Sequence, residues 1–67
     1  MMIMISKFKN ASQFREAFDG CWVELNDRKL IEPDQVTDQL LADRRIAAVF
    51  DPSFEAWYSV DECATAN

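Results

Sequence analysis

Histidine is absent from this chain, and glycine occurs once. The first absence removes the side chain that most often serves as acid or base near neutral pH, together with the commonest metal ligand. The second excludes a glycine-rich phosphate loop, and no serine elbow is present. Two cysteines, Cys21 and Cys63, are too few for the disulfide framework of a small secreted domain. Without histidine they complete a four-ligand zinc site only if carboxylates or another subunit contribute. The expected state is two reduced thiols, and the alternative, a Cys21–Cys63 bridge, is not indicated by the sequence. Cys21 falls on a predicted apolar face, and Cys63 lies beside Asp61 and Glu62, where thiolate is disfavoured. Catalysis is the weakest functional class, and no cofactor is expected.

Long hydrophobic runs are missing too. The apolar start MMIMI is too short to span a membrane or to form a signal core, and Lys7 and Lys9 follow it instead of preceding it. The expectation is a cytoplasmic protein with no membrane partner. No repeat, linker or low-complexity segment interrupts the 67 residues, which are read as one domain, 1–67. A composition that is 49% hydrophobic and 12% aromatic is a folding composition. Chains of this length bury cores giving only about 3–5 kcal/mol, so a homodimer or a bound partner would add support.

Secondary structure is read most clearly in residues 45–61. Ile46, Ala48 and Phe50 alternate with Arg45, Ala47, Val49 and Asp51, and Phe54, Ala56, Tyr58 and Val60 alternate with Glu55, Trp57, Ser59 and Asp61. Asp51 and Pro52 suit the first two positions of a type I turn. Matching the two apolar sets pairs Phe50 with Ala56, Ala48 with Tyr58 and Ile46 with Val60, and places Val49 opposite Trp57 and Arg45 opposite Asp61 on the outer face.

Upstream, Ala11, Phe14, Phe18, Cys21 and Leu25 recur at helical spacing, with Ala17 and Trp22 widening the stripe and Asn10 and Gln13 as cap residues. This favours one helix over 11–28, with Trp22 in the core. Gly20 opposes it. In the competing reading the helix stops there, and residues 21–25 form a strand that turns at Asn26-Asp27, with Glu24 opposite Lys29. A second helix is expected over 33–44. Pro33 suits its first position, Asp34 its first turn, and Arg44 and Arg45 its end, with Ile31 and Val36 as a staple across the entry. Residues 2–7 are a candidate third strand. The fold class is α+β: a two-helix hairpin on a C-terminal β-hairpin, in the order β-α-α-β-β when the first strand forms.

Cations are scarce where acids collect. Residues 1–31 carry five Lys/Arg against four Asp/Glu, and residues 32–67 carry two against eight, so nets of +1 and −6 make up the −5 of the chain. A solvated acidic face is the plain account. The functional account is a surface that engages a basic patch on another protein. In size, charge and missing chemistry the chain is similar to the small acidic blockers of nucleic-acid-handling proteins carried by phages and mobile elements, including many anti-CRISPR proteins and DNA mimics. That likeness gives no residue a role.

The alternative is a nucleic-acid-binding regulator, since the helix and hairpin over 33–60 resemble the last helix and wing of a winged-helix domain. Charge argues against it, because the would-be recognition helix exposes Asp34, Gln35, Thr37, Asp38 and Asp43. Direct nucleic-acid binding is therefore not expected. The candidate partner-binding residues are Trp57, Val49, Asp34, Asp38, Glu55 and Asp61.

Overall fold

The computed structural model describes residues 2–60. Two short helices pack on one face of a five-stranded mixed sheet. In chain order the elements are β1 (Met2–Ile3), α1 (Ala11–Ala17), β2 (Trp22–Leu25), β3 (Leu30–Ile31), α2 (Asp38–Ala42), β4 (Ile46–Asp51) and β5 (Ala56–Val60). Single 3-10 turns at Ile5–Lys7 and Pro33–Gln35 precede the two helices. The strand order is β1-β5-β4-β2-β3, with β1 parallel to β5 and the other neighbours antiparallel. The α+β class matches expectation and an N-terminal strand forms, but over Met2–Ile3 alone instead of 2–7, because Ile5–Lys7 wind into a 3-10 turn, and the element order differs.

Helix α1 begins where the cap residues indicate. The Asn10 side chain accepts from the Gln13 N–H at 3.0 Å, and the Gln13 side chain accepts from the Lys9 N–H at 2.8 Å. Its segment, ASQFREA, contains no β-branched residue, and Ala11 and Phe14 are its buried positions. The helix ends at Ala17, and the expected long helix over 11–28 does not form. Gly20 sits at φ +84°, a conformation that costs any residue with a Cβ about 1–2 kcal/mol, and the chain turns there into β2. The competing strand reading is the correct one. Glu24 faces Leu30 instead of Lys29, one position from the expected pair.

The second helix also starts later than its sequence suggests. Pro33 opens a 3-10 turn, with the Gln35 side chain accepting from the Glu32 N–H at 3.0 Å. Val36 is extended and buried, and Thr37 then caps a new helix by accepting from the Leu40 N–H at 3.2 Å. Helix α2 closes in a Schellman arrangement. The Arg45 N–H donates to the Leu40 carbonyl and the Arg44 N–H to the Leu41 carbonyl, both at 3.1 Å, with Arg44 in the left-handed region at φ 53°. The helical hairpin is thus replaced by two short helices with the β2–β3 hairpin between them in the chain.

The core comprises Ile3, Ile5, Ala11, Phe14, Val23, Leu25, Val36, Ile46, Val49 and Val60. Phe8 and Phe18 pack against the core at Phe14, the three ring centroids lying 4.7–5.6 Å apart. Two polar ties hold the helical layer together. Asp38 Oδ1 accepts from the Ala11 N–H at 2.6 Å, and the Arg15 guanidinium donates twice to the Val36 carbonyl, at 2.8 and 3.0 Å.

The hairpin β4–β5 pairs one residue away from its expected register. Asp51 faces Ala56, Phe50 faces Trp57, Val49 faces Tyr58 and Ala48 faces Ser59. The connection is a four-residue loop, 52–55, in which Asp51 Oδ1 accepts from the Ser53 N–H at 2.9 Å and Glu55 takes φ 50°. On the other side of β4 the register with β2 shifts between Glu24 and Leu25: Leu25 faces Ile46, but Glu24 faces Ala48. Ala47 is the extra residue of a β-bulge. Ile46 and Val49, three apart, therefore both point into the core.

Candidate functional site

Register assigns the two faces of the sheet. Ile3, Val23, Leu25, Ile31, Ile46, Val49, Tyr58 and Val60 lie on the face under the helices. Met2, Trp22, Glu24, Leu30, Ala48, Phe50, Trp57 and Ser59 lie on the other. This outer face carries large apolar groups that remain in contact with solvent: Trp22 is 41% exposed, Trp57 53% and Leu30 54%. Trp22, Leu30, Phe50 and Trp57 line an open cleft of about 310 Å³. Within it the Phe50 and Trp57 rings stack at a tilt, with centroids 4.9 Å apart and planes at 45°. Phe54, at the hairpin tip, is 76% exposed.

The expected site residues are redistributed. Trp57 is exposed on the outer face as expected, but its neighbours there are Phe50 and Trp22, not Val49. Val49 has no solvent exposure and belongs to the core. Trp22, expected inside, is on the outer face because residues 22–25 form a strand. Asp34 and Asp38 do not share one helix: Asp34 lies in the 3-10 turn, and Asp38 opens α2 and holds the start of α1. Glu55 is exposed in the hairpin loop. Asp61 and Cys63 lie outside the described residues.

Strict alternation hides Phe50 and Trp22 from the site. The bulge at Ala47 moves Phe50 outward, and the turn at Gly20 removes Trp22 from a helical stripe. Gly20 was the available signal for Trp22, and no residue in the sequence marks the bulge.

Among the paired positions of the outer face Glu24 is the one charged residue, next to the cleft residues Leu30 across the strands and Trp22 along its own strand. It is half-buried, and its carboxylate has no hydrogen bond or ion pair among the described residues.

Cys21, half-buried where the chain enters β2, has its thiol pKa raised, first by burial and then by Asp51 and Asp19. It is held in the unreactive protonated form. Among the described residues no group of three or more His, Cys, Asp or Glu side chains is placed to hold a metal ion. None of their helices is long and apolar enough to cross a membrane.

The likeness to a winged helix stops at element order. Helix α2 has five residues, and β4 lies in the interior of the sheet between β5 and β2 instead of projecting as a wing. No family model, curated protein or solved structure matches the chain.

Proposed function

We propose that this chain is a non-enzymatic protein-binding module whose contact surface is the outer face of its sheet. The supporting observation is the aromatic cleft of Trp22, Phe50, Trp57 and Leu30, apolar groups placed where no element among the described residues covers them. Leaving two tryptophans in water forgoes the burial that stabilises so small a domain, whereas in an interface they become anchors. The acid surplus selects the partner. With a net charge of −5 the protein is drawn to basic surfaces, including those that hold nucleic acid, and occupying such a surface blocks it.

The test is capture of partners from a lysate of the source organism by immobilised protein, at low and high salt, beside a Trp22→Ala/Trp57→Ala double variant. The expected result is a protein retained by the parent and lost from the variant, with the variant's sheet intact by circular dichroism. Equal retention by both would assign recognition to another surface.

A further inference from the structure

Resting on that reading, we infer that the outer cleft receives an arginine side chain from the partner. A cleft of about 310 Å³ is at the small end of binding sites. Its walls are the rings of Trp22, Phe50 and Trp57, whose faces are electron-rich and attract a cation, tryptophan most strongly. Leu30 supplies an aliphatic wall for the stem of a long side chain. Register sets Glu24, a half-buried carboxylate without a partner among the described residues, beside the cleft residues Trp22 and Leu30, and the paired positions of this face hold no cation. Rings beside a lone carboxylate make a receptor for a positive head group. A planar guanidinium stacks on tryptophan and is less strongly hydrated than an ammonium, so arginine fits better than lysine.

The other occupants are disfavoured by the same charge. A second copy placed face to face would bring two Glu24 carboxylates into one apolar interface. Single-stranded nucleic acid stacks on aromatic sheet faces, but it requires cations along its backbone, and here its phosphates would meet Glu24.

The experiment is an NMR titration of the full chain with millimolar acetyl-Gly-Arg-Gly-amide, with the citrulline peptide as its neutral isostere and the lysine peptide as a second cation. The indole N–H signals of Trp22 and Trp57 are expected to move with the arginine peptide and far less with the other two. Glu24→Gln should weaken the arginine titration about fivefold while leaving the fold unchanged. Equal response to citrulline, or no indole response to arginine, overturns the inference. When the arginine titration fails but the double tryptophan variant still loses its captured protein, protein binding by this face stands and the arginine assignment alone fails. Tryptophan quenching by oligo-dT, or a concentration-dependent dimer abolished by Trp57→Ala, would put nucleic acid or a second copy in the cleft instead.

Discussion

The two faces of this sheet invert the usual ordering of side chains by size. Under the helices lie mostly valines and isoleucines, with Leu25 and one half-buried aromatic, Tyr58, and with Val23 and Val49 wholly buried. On the open side lie two tryptophans, a phenylalanine and a leucine. If burial alone had selected these residues, the largest apolar groups would be inside, because they gain most from leaving water. The inner face is the one that folds the chain, and the outer face has a composition that folding does not explain.

Substitutions sharpen this contrast. The largest effect is expected from Val49→Asp, which places an unpaired carboxylate where no solvent reaches. A cost well above about 3 kcal/mol, comparable to the entire stability of a domain this small, should abolish the cooperative calorimetric transition. Trp57→Ala comes next and should divide differently. We expect a loss of about 2 kcal/mol or more in partner binding, measured by titration calorimetry, but only about 1 kcal/mol in unfolding free energy, mostly from the lost Phe50 stacking. A stability loss of 3–5 kcal/mol, typical of a buried tryptophan, would erase the distinction between the faces.

Asp38→Ala tests whether this acid serves the fold or a partner. Removing the acceptor for the Ala11 N–H should cost about 1–2 kcal/mol, seen as a melting temperature lower by several degrees. Binding affinity should not change. Asp34→Lys and Glu55→Lys are expected to change stability by less than about 0.5 kcal/mol. Their effect should appear in stopped-flow kinetics, as slower association that depends less on salt.

The smallest effect concerns Cys21. Its folded-state pKa is raised, so the unfolded chain releases the thiol proton first, and any contribution to stability is present below the unfolded pKa and declines as pH rises above it. Alkylation at mildly alkaline pH, followed by peptide mass spectrometry, should label Cys21 more slowly in the native protein than in denaturant.

What the sequence discloses and what it hides divide along local and non-local lines. The Asn10 cap, the turn after Asp51 and the Thr37 cap each depend on a few neighbouring residues. The first two are legible, whereas the Thr37 cap is overshadowed by the stronger helix-start signal of Pro33. Strand β2 depends on β4, more than twenty residues away, and its run of Trp22-Val23-Glu24-Leu25 fits a helical stripe as well as a strand. The conformation of Gly20 settles that choice.

The candidate site was readable through Trp57 alone. Its companions follow from a loop length and a bulge, each of which moves the register by one residue without any distinctive side chain.

The bulge makes the outer face a matter of counting. Residues 48–50 keep one register with both β2 and β5, Ile46 keeps another with Leu25 of β2, and the two are out of phase by one residue that Ala47 absorbs. Losing that alanine would leave every aromatic group in the chain, yet the strand would have to sacrifice either the burial of Ile46 or the outward setting of Phe50. The cleft is thus written in the spacing of its residues as much as in their identities, and insertions or deletions near residue 47 would disable it more surely than most exchanges of one side chain for another.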